Sequence, residues 1–432
     1  MKKSLLLILL FSFLISFPQL ALAANEWTVI VYMVNDGKSG DALEQANFKN
    51  LSRMKYYGAG DQAEIIIQMD GMADGSSDEQ KLNYKGVSRL RIEKDKIIDE
   101  GVLGEKNMGD PHTLWDCLEW ARQKHPAKHY ALIINSHGSG VFTWYGTGST
   151  SSSNPGEVIF NPDRRKEEKR NKIISRLMAN RTANLQNAAR SNGRFVAYDT
   201  TDKDALTVFE VAKVLETFNL RNNHKIDLVG FDACMPGSIE VLYELKDACT
   251  YMVGSPETTP INGFGYESMA RMLARNGKVS PEEFAIKMAE DLNDRRIGAW
   301  RVADSQQMAF ALNNLAMQLL EAMNETGKSF GVSSISAFGG QERYWDLLKI
   351  ADSFARENSK LNGASNAPVI KQLAKELHAS IESARLTRNG TISLVWPGKD
   401  DYKKFRNFYK ALSLSKDYKW DEVLDQRELG LK

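Results

Sequence analysis

Cys234 and His137 are the two residues of this chain whose types and settings could do chemistry together. His137 follows the apolar run Tyr130-Ala-Leu-Ile-Ile-Asn135 and Ser136, and it leads into Gly138-Ser-Gly140. Cys234 follows the run Ile226-Asp-Leu-Val-Gly-Phe231, then Asp232 and Ala233. Each sits just past a strand-like run, where ligands bind in an open parallel sheet. If the two runs are neighbouring strands, imidazole and thiol emerge side by side on rigid supports, as a thiol nucleophile and its acid–base partner require. Gly138 has no Cβ, so its backbone N–H can approach a substrate carbonyl closely, and with the N–H of Cys234 it would form an oxyanion hole. Pro236 predicts a helix opening just after the thiol, whose N-terminus would favour thiolate over thiol.

Taken singly, these residues have plainer readings. A lone Cys after an apolar strand is usually a buried small hydrophobe, and Cys117 and Cys249 are read that way. A disulfide between those two is the alternative if the chain is exported. Gly327-Lys-Ser-Phe-Gly331 matches the esterase nucleophile pattern but follows a helical segment, not a strand. Gly327-Lys328-Ser329 lacks the earlier glycine of a phosphate-binding loop, because Ala322 stands there. Asp199 to Glu210 has the length of an EF-hand loop, yet Lys203 and Asp204 occupy a ligand position and the glycine position.

The elements that must hold the pair are legible as short runs of Val, Ile, Leu and Tyr. Strands are predicted at Trp27 to Val34, Glu64 to Met69, Tyr130 to Asn135, Ile226 to Phe231 and Tyr251 to Gly254. Apolar residues at helical spacing lie between them: Leu114, Leu118 and Ala121, then Val208, Val211, Ala212 and Leu215. Thr207 and Glu210 stand three apart in a capping-box pattern before the second of these. Nearly uninterrupted apolar strands alternating with helices predict an α/β fold with a mainly parallel sheet covered on both faces. After about residue 275 long helices are predicted at Pro281 to Asp294, Gln306 to Glu325, Tyr344 to Glu357 and Val369 to Arg385. A last strand follows at Thr391 to Trp396, then a helix at Tyr402 to Leu412. This division reads as a catalytic domain over 24–275 and a C-terminal subdomain over 276–432.

Lys2 and Lys3, the apolar stretch Leu5 to Phe17 and the small residues Ala21-Leu-Ala23 form the pattern of a secretory signal, with cleavage expected after Ala23. The stretch is shorter than the ~20 apolar residues of a spanning helix, so no membrane attachment is expected after cleavage. The formal charge of +1 gives no general reason to expect a nucleic-acid partner. Three cysteines are too few for a disulfide scaffold and leave at least one thiol unpaired in an exported chain. From 146 to 193 the sequence is first rich in Ser, Gly and Pro and then strongly basic. A structureless loop of that length is uncommon unless it is functional or disordered.

Together these residues resemble the clostripain family of cysteine peptidases, in the caspase-like clan. The resemblance rests on strand–His137-Gly138 followed by strand–Asp232-Ala-Cys234. It extends to Asn107-Met-Gly-Asp-Pro111, Trp120, Ala197-Tyr-Asp199, Val253-Gly-Ser255, Glu257 and Gly390 through Pro397. It implies a caspase-like fold and an exported cysteine endopeptidase acting on protein or peptide substrates. Cys234 would attack the scissile carbonyl and His137 would protonate the leaving amine, with no third orienting residue and no organic cofactor. The basic segment would be a maturation loop cut by the enzyme itself. Asp232, two residues before the nucleophile, would select Arg over Lys before the scissile bond, and Asn262 stands where relatives carry a second acid. The family includes a calcium-dependent enzyme, so a calcium site among Asp199, Asp202 and Asp204 stays open beside turn and cap roles. The chain departs from the family pattern at Val141, at Asn262-Gly-Phe264 and in the 97 residues separating His137 from Cys234.

Overall fold

The computed structural model describes residues 25–34, 42–71, 86–141, 196–199, 201–202, 204–290, 296–330, 338, 343–356 and 363–431. The signal segment and the basic segment 146–193 lie outside them. Eight strands form the central sheet: β1 (Asn25–Met33), β2 (Ala63–Gly71), β3 (Gly86–Glu93), β4 (Lys96–Gly104), β5 (Ala127–Asn135), β8 (Ile226–Asp232), β9 (Cys249–Gly254) and β10 (Gly298–Arg301), while β6 (Ala197–Asp199) and β7 (Asp204–Leu206) pair antiparallel in a separate sheet. Their order is β10-β9-β8-β5-β1-β2-β3-β4. Strands β2, β1, β5, β8 and β9 run parallel, while β3, β4 and β10 are antiparallel additions at the two edges. The five predicted strands are the parallel set. Their interior residues are buried on both faces, as a sheet covered by helices requires.

One face carries α1 (Ala42–Tyr57), α5 (Tyr266–Arg275) and α6 (Pro281–Glu290), whose apolar residues share a core with Val29, Val31, Ile65, Ile133 and Leu228. The other face carries α2 (Pro111–Lys124) and α3 (Val208–Asn222). Local signals explain where these helices start. Asp110 caps α2 through its side chain with Pro111 at the first turn, and Thr207 and Glu210 form the expected capping box on α3. Beyond them, α7 (Ser305–Thr326), α8 (Leu347–Ala355), α9 (Ala367–Ala384) and α10 (Lys399–Tyr409) pack in the same core as Ile30, Leu132 and Phe231.

Residue 275 is therefore not a boundary in packing: α6 and β10 lie beyond it yet complete the sheet and its first layer. One other expectation is corrected. The segment from Tyr344 opens as a strand, β11 (Tyr344–Asp346), before α8 begins. It pairs antiparallel with the predicted late strand, β12 (Ser393–Val395), in a sheet separate from the central one. Asp346 ends the strand by capping α8, its side chain accepting from the N–H groups of Leu348 and Lys349. Gly327 is the left-handed C-cap of α7, so the esterase-like motif follows a helix end, as expected.

A buried imidazole ties the sheet edge to α2. His125, just past the helix, holds Glu64 of β2 at 2.9 Å and Glu100 of β4 at 2.7 Å, one on each ring nitrogen. Burial alone would lower its pKa, but the bonds and charge of the two carboxylates outweigh that and raise it. A raised histidine pKa gives stability that is complete below the unfolded value near pH 6.5 and fades as pH rises through the folded value. In denaturant unfolding, His125→Gln should cost about 1–3 kcal/mol near pH 6 and distinctly less at pH 9. A gap that is constant across that range would show that the imidazolium contributes nothing.

Candidate active site

The predicted adjacency of the two chemical strands is present: β5 and β8 are parallel neighbours, with Asn135 opposite Asp232 at their carboxyl ends. The N–H of Ser136 donates to the Asp232 carbonyl at 3.2 Å, which carries the pairing one residue further. His137 and Cys234 each lie two residues past that matched pair, on adjacent loops at one sheet edge. His137 is exposed and Cys234 is half-buried.

The two loops touch backbone to backbone. A Cβ on Gly138 would lie 2.8 Å from the Ala233 Cβ, 2.9 Å from the Cys234 carbonyl oxygen and 3.2 Å from the Cys234 nitrogen. A glycine is required there, because the two loops pack backbone against backbone with no room for a side chain. Met235, immediately after the nucleophile, has φ +72°, a conformation uncommon for a residue with a side chain. It is held by its N–H donating to the Glu257 carbonyl at 3.0 Å. Thr259 braces the nucleophile from the following loop, its hydroxyl donating to the Ala233 carbonyl at 2.6 Å and its backbone N–H to the Cys234 sulfur.

The expected helix at the thiol is absent. Pro236 precedes α4 (Ile239–Glu244), a short helix capped by the Ser238 side chain and starting five residues past Cys234. No helix dipole thus lowers the thiol pKa. Burial raises it, the Thr259 N–H opposes that in part, Asp232 adds to it, and the net shift is upward.

Asp232 lies beneath the site and does not open onto it. It is 3% exposed, and its Oδ2 accepts from the Tyr266 hydroxyl at 2.7 Å and the Asn135 amide at 2.6 Å. Gly263 (φ +67°) presses its backbone onto this carboxylate, with a Cβ there falling 2.3 Å from Oδ2. A two-pronged approach by a guanidinium, expected from sequence, is closed off by these partners. Burial raises the Asp232 pKa, against hydrogen bonds from Tyr266, Asn135 and Phe264. Asn262 sits exposed on the covering turn, its carbonyl accepting from Asn50 of α1 at 3.1 Å. Asn50 also bonds Asn47, and Asn47 bonds Asn135 at 2.6 Å. A buried polar chain therefore runs from α1 through both strand ends to Tyr266. Sequence reasoning missed Asn47, Asn50, Tyr266 and Thr259; only the position of Asn135 at a strand end hinted at any of it.

The remaining candidates have other places. Cys117 and Cys249 are buried and free rather than paired, and burial pushes both thiols up to about 12. Asp199 accepts from the N–H groups of Met108 and Asp202, and Asp204 from Asn107 and its neighbour Ala205. These carboxylates fasten the Asn107–Asp110 turn. Among the described residues no group of three or more His, Cys, Asp or Glu is placed to hold a metal ion.

Comparison with known proteins follows the same chemistry. A family model described as the clostripain family matches residues 31–151 and 179–426. Clostripain of Hathewaya histolytica is 23% identical over 279 residues, which is 60% of this chain and 44% of that protein. The match thus spans less than half the length of that relative. A secreted C11 cysteine protease from Bacteroides thetaiotaomicron, solved with an irreversible peptide inhibitor, has a TM-score of 0.53 at 17% identity, covering 86% of this chain and 85% of its own. An inactive zymogen C11 protease from Parabacteroides distasonis has a TM-score of 0.58 at 16% identity, covering 91% and 98%. Both share the fold.

The burial of the three thiols predicts a labelling pattern. In the native protein iodoacetamide should modify Cys234 and leave Cys117 and Cys249 untouched. The Cys234 rate should still be rising above pH 8.5, the ordinary cysteine value. A rate that levels off below pH 7 would mean that a thiolate pair overrides burial.

Proposed function

The chain belongs to the clostripain family of cysteine peptidases, and from that membership we propose that it is an exported endopeptidase that cuts after basic residues and processes itself. The observation that carries the reading is the matched register of β5 and β8, with His137 and Cys234 two residues past the same pair and Gly138 against the Cys234 backbone. In the proposed reaction the Cys234 sulfur attacks the scissile carbonyl and the amides of Gly138 and Cys234 receive the developing oxyanion. The thiol proton passes to His137, which delivers it to the leaving amine. Water then hydrolyses the thioester and regenerates the thiol.

Export rests on the N-terminal signal pattern. No helix among the described residues is long and apolar enough to cross a membrane. Self-processing rests on the long basic segment between the two catalytic strands, whose polar, Arg- and Lys-rich composition is of the kind proteases nick. The description of the Parabacteroides relative as an inactive zymogen is in keeping with it. A cut there would leave both β5 and β8 in the sheet. Cys234→Ala should lose activity by several orders of magnitude, on the order of 10⁶ where nucleophiles have been removed elsewhere. It should migrate as one uncut chain where wild type runs as two fragments, and His137→Ala should be similarly inactive. A tenth of wild-type turnover in Cys234→Ala would end this reading.

For the basic preference, Asp232 supplies negative charge directly under the turn that carries Asn262. The charge acts through its field across Gly263, so Arg and Lys differ less than two-pronged pairing would make them. A carboxyl with a raised pKa is neutral at low pH and gains its charge as pH rises through that value. The kcat/KM ratio of Arg over Leu substrates should therefore climb with pH and flatten in Asp232→Asn. Equal cleavage of both substrates by wild type at pH 8 would refute the basic pocket; a folded Asp232→Asn that keeps the preference would move the role elsewhere.

A further inference from the structure

The β11–β12 pair lies far along the chain from both catalytic loops, yet it bonds to each of them. Tyr344 of β11 is 2% exposed and donates its hydroxyl to the Ser139 carbonyl at 2.8 Å, in the loop that carries His137 and Gly138. Ser393 of β12 donates its N–H to the Gly237 carbonyl at 2.9 Å and its hydroxyl to the same oxygen at 3.2 Å, in the loop that follows Cys234. Two residue pairs further, Val395 lies opposite Tyr344, and its N–H donates to the buried Glu240 of α4 at 2.8 Å. The same two short strands thus grip both loops from behind.

The grip leaves no slack at the histidine loop. Gly140 has φ +61°, and a Cβ there would lie 2.6 Å from the Tyr344 hydroxyl and 2.5 Å from the Met235 carbonyl oxygen. The loop is caught between the phenol on one side and the backbone after the nucleophile on the other. Without the hydroxyl, the Ser139 carbonyl loses a donor in a buried place, and the loop is no longer tied to β11 at that point. Gly138 lies one residue upstream, against Cys234, so its amide loses that tie as well.

We infer that Tyr344 is a positioning residue for the reaction, setting the Gly138 amide of the oxyanion hole through the Ser139 carbonyl. This rests on the dyad reading above. A group that acts only on the developing oxyanion changes kcat and not ground-state binding. The test is Tyr344→Phe in the full-length protein, with turnover expressed per iodoacetamide-reactive Cys234 so that any unfolded fraction drops out. The expected result is a kcat lower by at least tenfold, KM within twofold, and an unchanged alkylation rate at Cys234. A peptide aldehyde, whose adduct places an oxygen in the oxyanion hole, should bind weaker by the factor lost in kcat. A kcat within twofold of wild type overturns the inference. So does a fall in which KM and alkylation change as much as kcat, since that marks general loosening. His137→Ala, assayed in parallel, separates the two levels. If it stays active, the dyad reading has failed; if it is inactive while Tyr344→Phe is normal, only the role of Tyr344 has failed.

Discussion

Everything at the candidate site depends on the parallel register that sets Asn135 beside Asp232. Parallel strands leave the sheet in the same direction, so matching their last residues also matches the loops that follow. A slip of one residue would send every side chain of one strand to the opposite face. The register is secured twice over, by the apolar residues of β5 and β8 that fill both cores and by the Asn135 amide on the Asp232 carboxylate at 2.6 Å. The second bond is the more local. It lies directly under the reactive loops and is reinforced by Tyr266, Asn47 and the amide of Phe264. Asp232 thus has a structural duty whatever its influence on substrate. The two are compatible, because a buried carboxylate in a low-dielectric setting projects its field while its oxygens stay occupied.

Small residues do the complementary work. Where backbones must touch, as Gly138 does Cys234 and Gly263 does Asp232, any side chain would part the loops. Where they must be spaced, a polar side chain spans the gap: Thr259 to Ala233, Tyr344 to Ser139, Ser393 to Gly237. The site is built mostly from main-chain contacts, and the side chains beside the reacting pair act as struts.

The five parallel strands and the neighbouring placement of His137 and Cys234 were legible in the sequence because long apolar runs ending in His-Gly and Asp-Ala-Cys are strong local patterns. The motifs that carry the family reading fall within the residues that the family model matches. The hairpin of β3 and β4 is hard to read in the sequence because β3 alternates its apolar residues with Arg89 and Arg91, and β4 carries Lys96, Asp99 and Glu100 and buries none of its residues fully. Helix α1 hid for a related reason, since Asn47 and Asn50 are buried for hydrogen bonding and read as surface residues. Pro236 misled because proline marks a helix start only if the next residues are free to coil. Here Met235 and Gly237 are held instead by the Glu257 and Ser255 carbonyls. Tyr344 was taken for a helix residue because apolar spacing does not separate three strand residues from a first turn. No pattern near His137 could announce a partner that distant in the chain.

The strand order has a consequence for when the two loops that carry His137 and Cys234 can meet. Strands β1 to β5 are all contributed by residues up to 135 and can pair among themselves. Asn135 at the end of β5 and Asp232 at the end of β8 stand 97 positions apart, and closing a loop of that length costs on the order of 4 kcal/mol of chain entropy before any contact repays it. The C-terminal struts dock later still in the order of synthesis. An unfinished chain that ends at β5 therefore holds the His137 loop with no thiol opposite it, and the pair meets only once β8 has joined the sheet, with the bracing strands β11 and β12 still to come. Topology acts as a timer for the assembly of the pair.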